Sequence, residues 1–161
     1  MPMTIEPKRD DRPVIMVLVT DQFRCKRLIT GGRVLADRDG AQLEVVNVIA
    51  AGAERNPDAI EYLFQASREN NASMTIHYSA SARPQRFLGE LIQEQRPAAV
   101  VTGLPGEGST LLRRLWMRFE KVDFYVVEHG GDLRLVNITD RAGLPALGTP
   151  LLPPALRLAE S

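Results

Sequence analysis

Val14-Ile15-Met16-Val17-Leu18-Val19 (VIMVLV, residues 14–19) is the stretch that decides the fold. An unbroken apolar run of this length, with no polar residue on alternate positions, describes a strand covered on both faces, as in the middle of a parallel sheet. From Gln22 the period changes: Cys25, Leu28, Ile29, Gly32, Leu35 and Ala36 recur at spacings of three and four, and Gly40 supplies a stop, so an amphipathic helix follows. Leu43 to Ile49 (LEVVNVI) is a second buried-strand run. Asn56 then caps a helix that opens on Pro57 and presents Ile60, Leu63, Phe64 and Ser67 on one face. Met74, Ile76 and Tyr78 alternate with Thr75 and His77, the pattern of a strand at a sheet edge. Pro84 opens a third helix with Phe87, Leu88, Leu91 and Ile92 as its stripe, and Arg96-Pro97 ends it. Ala98 to Val101 reads as a fourth strand, followed by the turn GLPGEGST at 103–110. The next helix turns Leu111, Leu112, Leu115, Trp116 and Phe119 inward, and Val122 to Val127 forms a fifth strand.

Strand and helix alternate throughout, which predicts an α/β fold: a doubly wound, five-stranded parallel sheet of order 3-2-1-4-5, in three α/β/α layers with right-handed crossovers. Residues 1–12 form a polar arm and 13–128 the domain. Residues 129–161 form an extension with one further strand at Leu133 to Ile138 and a Pro/Leu tail, GLPALGTPLLPPALRL, that packs on the body or on another chain.

The 161 residues carry 20 Lys+Arg against 20 Asp+Glu and are 44% apolar, which describes one ordinary domain without the basic excess of a general nucleic-acid binder. Cys25 has no second cysteine to pair with, and the charged start MPMTIEPKRDDRP has no apolar signal core behind it, so a cytoplasmic home is expected. No apolar run approaches the roughly 20 residues of a membrane helix. Two histidines and one cysteine make a poor zinc set.

In a sheet of this order the ligand crevice opens at the carboxyl ends of strands 1 and 4. Thr20-Asp21-Gln22 and the loop from Gly103 to Thr110 meet there. Gly103, Gly106 and Gly108 allow close backbone approach, Ser109 and Thr110 offer hydroxyls, and the following helix points its positive end at the loop, which suits a phosphate. Arg113, Arg114 and Arg118 add basic charge along that helix. The same residues also read as a tight turn, an N-cap and a solvated face, and Glu107 is repulsive to an anion. The loop lacks the Lys-Ser/Thr ending of a Walker P-loop, no GxGxxG follows strand 1, and no GxSxG elbow occurs. His77 and His129 have no evident nucleophile partner, Cys25 and Trp116 sit on apolar helix faces, and Asp21 caps a helix or meets a ligand hydroxyl.

The ordered segments VIMVLVTDQFRCKRLITGGRVLADRDGAQLEVVNVI, PDAIEYLFQASRENNASMTI and AAVVTG, followed by a Gly/Ser loop, resemble the universal stress protein family over about residues 13–128. The resemblance is nearest to the universal-stress domain of potassium-sensing histidine kinases. It implies an adenine nucleotide alpha hydrolase-like fold, homodimers formed through the last strand, and an adenine nucleotide such as ATP as ligand. In nucleotide-binding members an aspartate directly after strand 1 contacts adenosine; that position is Thr20 here, with Asp21 one residue late. The strand 2 residue that lines the adenine pocket corresponds to Val48. Gly103 and Gly106 match the family's Gly-x-x-Gly, whereas Trp116-Met117 stands where a later Gly-Ser/Thr is usual, and Gly108-Ser109-Thr110 substitutes on a shortened loop.

Two readings follow. One is a small cytosolic regulatory protein that binds an adenine nucleotide, or a related signal such as a cyclic dinucleotide, through Thr20, Asp21, Val48, Gly103, Gly106, Gly108, Ser109 and Thr110. The other is a dimeric interaction module that binds no nucleotide and works through its last strand and tail. Enzymatic activity is not expected, since neither a Ser-Gly-Gly loop after strand 1 nor a metal-binding carboxylate pair is present.

Overall fold

The fold is that of a computed structural model, which describes residues 12–19, 22–49, 52, 56–78, 84–104 and 111–136. β1 (Val14–Val19) runs through the middle of the sheet, in parallel with β2 (Gln42–Ile49) on one side and β4 (Ala99–Gly103) on the other. Its residues Ile15 to Val19 are no more than 5% exposed, which is why the run carries no polar side chain. β3 (Ser73–Tyr78) pairs β2 at one edge, where its partly exposed residues match the alternation in the sequence. β5 (Asp123–Val127) pairs β4 in parallel.

Among the described residues the sheet is mixed and has six strands, in the order β3-β2-β1-β4-β5-β6. This corrects the expected wholly parallel, five-stranded sheet. The five parallel strands keep the order 3-2-1-4-5, and β6 (Leu133–Leu135) adds antiparallel to β5. The reason is the length of the connection. Glu128 N–H donates to Asp132 O at 2.9 Å and Gly131 N–H, at φ 91°, donates to Glu128 O at 2.9 Å, so the chain reverses within a few residues, whereas a parallel return needs a crossover of about a dozen or more. The strand expected at Leu133 to Ile138 ends at Leu135. β5 is therefore not the bare edge that a two-fold strand pairing would have to cover.

α1 (Cys25–Asp39) follows a 3-10 turn at Gln22–Arg24 and packs with α2 (Pro57–Glu69) on one face of the sheet, over Ile15, Val17, Val45, Val101 and Tyr125. α3 (Pro84–Gln95) and α4 (Leu111–Arg118) pack on the other, where Leu88, Ile92, Leu115 and Trp116 meet Met16, Leu18, Val100 and Phe124. The result is three layers, with helices changing face between the units flanking β1 and β4. α1 lies close to the sheet at Gly32, where a Cβ would come within 2.5 Å of Val17 Cγ2 and 2.8 Å of Leu43 Cδ1. It ends at Gly40 in the left-handed region, φ 62°.

In α2 the Asn56 side chain accepts from Asp58 N–H and Ala59 N–H, the expected cap. Its buried stripe is Ala59, Leu63, Ala66 and Ser67, so the expected inward Phe64 is instead 41% exposed beneath the Arg68 guanidinium. The small Ala59 and Ala66 turn inward beside Leu63, and Phe64, about 100° further round, is carried outward. No helix among the described residues is long and apolar enough to cross a membrane.

Candidate functional site

The carboxyl ends of β1 and β4 are adjacent strand ends, with Val17 in register with Val101, and the connections leaving them go to opposite faces of the sheet. A crevice at a topological switch point of this kind is where open α/β sheets bind ligands. Two of the residues expected there are described. Gly103 is the last residue of β4, and a Cβ on it would meet only Leu28 Cδ2, at 3.9 Å, so the chain itself does not demand a glycine at this position. Val48 lies near the end of β2, partly buried on the α3/α4 face. Thr20, Asp21, Gly106, Gly108, Ser109 and Thr110 lie outside the described residues, as do the polar arm up to residue 11 and the tail from residue 137.

What holds the end of β1 is an amide network that the sequence reading did not single out. Asn47 of β2 is 1% exposed; its Nδ2 donates to Val19 O at 2.7 Å, and its Oδ1 accepts from Gln22 Nε2 at 2.7 Å. The last carbonyl of β1 and the turn that starts α1 are thus tied to one buried side chain. A lone amide within VVNVI is the signal that could have revealed it, because a buried amide is almost always hydrogen-bonded.

His77, set aside as a catalytic group for want of a nucleophile partner, stands in register with Val48, packs its ring on Phe87 with centroids 5.3 Å apart and planes tilted by 53°, and holds its Nε2 buried with no hydrogen-bond partner among the described residues.

The arginines of α4 divide. Arg118 Nη2 donates to Gln93 Oε1 at 2.8 Å, and its guanidinium sits over the Phe119 ring and against Gly89, where a Cβ would meet Nη1. It fastens α4 to α3 rather than offering charge to a ligand. Arg113 is partly buried and Arg114 exposed. Trp116 is 1% exposed within the α3/α4 core, so its indole packs the domain. Cys25 is fully buried at the start of α1. At the end of β5, Arg27 Nη1 donates to the carbonyls of Glu128, at 3.0 Å, and His129, and Arg134 of β6 pairs with the Glu128 carboxylate.

A separate cavity of about 190 Å³, lined by Arg12, Arg33, Gln42, Asn71 and Ser73 among others, opens at the amino ends of β2 and β3, away from the crevice. Arg33 there is already engaged by Asp37 and by the Asn70 carbonyl. No group of three or more His, Cys, Asp or Glu among the described residues could hold a metal ion.

Among solved structures, the chain is similar to a universal stress protein from Archaeoglobus fulgidus, with 20% identity, 72% of this chain and 92% of that one covered, and a TM-score of 0.52. It is similar also to a universal stress protein in complex with cAMP, with 19% identity, 73% and 97% covered, and a TM-score of 0.53. The zinc-inhibited form of teicoplanin deacetylase Orf2 shares 11% identity over 71% of this chain and 67% of that one, with a TM-score of 0.50. No protein-family model and no curated protein sequence matches the chain. At these identities the likeness is one of fold, and this fold hosts both binding proteins and an enzyme.

Proposed function

We propose that the chain is a universal-stress-type regulatory protein that takes an adenine nucleotide at the β1/β4 crevice and catalyses no reaction there. The observation that carries this reading is the crevice itself: a doubly wound switch point with Gly103 closing β4 and the end of β1 fixed by Asn47 and Gln22. The fold is shared along almost the whole length of a universal stress protein solved with cAMP, which supports the choice of ligand class. In this reading Thr20 and Asp21 meet the nucleoside and Val48 lines the base. Gly103, Gly106, Gly108, Ser109 and Thr110 surround the phosphates, ATP among them. The Cys25-Lys26-Arg27-Leu28-Ile29 start of α1 favours the kinase-embedded type of domain within that family, and the working unit is a cytoplasmic homodimer. The rival reading is an interaction module working through its last strand and its tail; β5 is paired on both sides within the chain, and the tail lies outside the described residues.

The test is calorimetric titration of the purified chain with ATP, AMP, cAMP and cyclic di-AMP, with native mass spectrometry of the untreated protein. A dissociation constant in the micromolar range, about −8 kcal/mol, is expected for at least one of them. Gly106→Asp abolishes that binding by bulk and charge while leaving the thermal midpoint of the free protein unchanged. A protein that ignores all four ligands at millimolar concentration overturns the reading.

A further inference from the structure

We propose that His77 and Phe87 form the base-reading end of the crevice, with the buried Nε2 of His77 accepting a hydrogen bond from the exocyclic amine of an aminopurine. The inference rests on the nucleotide reading above and adds to it the residues that select the base. Three observations carry it.

The first is placement. His77, on the edge strand β3, is in register with Val48 of β2, and its contact with Phe87 of α3 puts it on the α3/α4 face, as Val48 is. Neighbouring strands are about 4.8 Å apart, so the two side chains stand next to each other at the carboxyl end of the sheet, and His77 is two strand spacings from β1. A nucleotide with its phosphates at the end of β4 and its sugar over β1 extends its base toward β2 and β3.

The second is chemistry. Val48 and Phe87 are apolar and His77 is the polar group among them. They offer an apolar wall, an aromatic ring and one hydrogen-bonding atom, which is what a flat heterocycle requires.

The third is the orphan. Nε2 of His77 is buried and has no hydrogen-bond partner among the described residues. An unpaired buried polar atom is costly, and a partner that arrives with the ligand removes the cost. A neutral imidazole with its proton on Nδ1 presents Nε2 as an acceptor. It would pair with the amine of adenine and oppose the carbonyl of hypoxanthine.

The experiment compares AMP and IMP by calorimetry on the full chain and on His77→Phe and His77→Gln, and follows the His77 imidazole nitrogens by NMR as AMP is added. Wild type should prefer AMP by about tenfold or more, in the manner of sites built around a substrate hydrogen bond. His77→Phe should bring the two ligands within about threefold of each other, and His77→Gln, whose amide oxygen also accepts, should restore part of the preference. In the unmutated protein the Nε2 resonance should move on saturation with AMP. An unchanged AMP/IMP ratio in His77→Phe, or an Nε2 resonance that stays still while AMP binds, overturns this assignment and leaves the nucleotide reading standing. A wild-type protein that binds neither ligand overturns this assignment, and one that also ignores ATP, cAMP and cyclic di-AMP overturns both.

Discussion

Replacing Asn47 by leucine removes the side chain that joins the end of β1 to the turn before α1. The Val19 carbonyl, in a residue only 2% exposed, then loses the 2.7 Å bond from Asn47 Nδ2 with no water to replace it, a cost of about 1–3 kcal/mol. Gln22, partly exposed, turns its amide to solvent and forfeits only the net worth of one hydrogen bond, about 1 kcal/mol. Burying leucine in place of an amide returns about 1 kcal/mol. The balance is a destabilisation of about 2 kcal/mol, or a fall of about 4–8 °C in midpoint for a domain of this size. Urea unfolding followed by circular dichroism reads it directly, with an m-value unchanged from wild type. A cycle with Gln22→Met isolates the shared contact: the double variant should lose about 1 kcal/mol less than the two single losses together. A stable Asn47→Leu, or strict additivity with Gln22→Met, would refute the network and with it the account of what fixes the end of β1.

Two further outcomes are expected. Gly32→Ala gains about 1 kcal/mol of helix propensity but drives a methyl into Val17 and Leu43, which costs about 1–3 kcal/mol, so urea midpoints should fall; a rise would mean that α1 can lift off the sheet freely. The hydrogen bond from Arg38 holds the Asp39 carboxyl below its ordinary value of 3.8, so this pair contributes stability above that pH and loses it as the pH falls through the lowered value. Both side chains are about a third exposed, so Asp39→Asn should cost less than about 1 kcal/mol at pH 7, and the gap from wild type should close in acid titrations of stability below pH 3.8.

The central strands were readable because burial on both faces leaves a local mark: VIMVLV and LEVVNVI are short apolar runs rich in β-branched residues, as covered strands are. Gly40 and the Asn56-Pro57 start were readable because caps are local. Other features depended on geometry between distant segments. Phe64 fits the helical period as well as Leu63 does, and only the seating of α2 on its small residues decides that Phe64 faces water. β6 was visible as an apolar run, but its direction and its pairing with β5 follow from the reversal at Glu128 to Asp132. Gly103 ends β4 and Val48 lies near the end of β2, while the roles of Asn47 and His77 were not legible because they lie in partners such as Val19, Gln22 and Phe87, which are not their neighbours in sequence. Trp116 was legible from the amphipathic stripe of α4, which assigns it to the core, where it is buried.

The place of β1 in the sheet also bears on how the protein is made. Ile15 pairs with Leu43 early, but its other neighbour, Ala99, is 84 residues further on. At roughly 5–20 residues per second, the ribosome takes about 4–17 seconds to deliver that second neighbour. Within that interval β2 and then β3 (Ser73–Tyr78) emerge and can pair in turn while the far side of VIMVLV remains an unpaired, apolar edge of the kind that seeks other chains. Nascent chains stalled between β3 and β4 should therefore be the form that chaperones hold and that aggregates most readily, and release should follow as β4 emerges to complete the pairing.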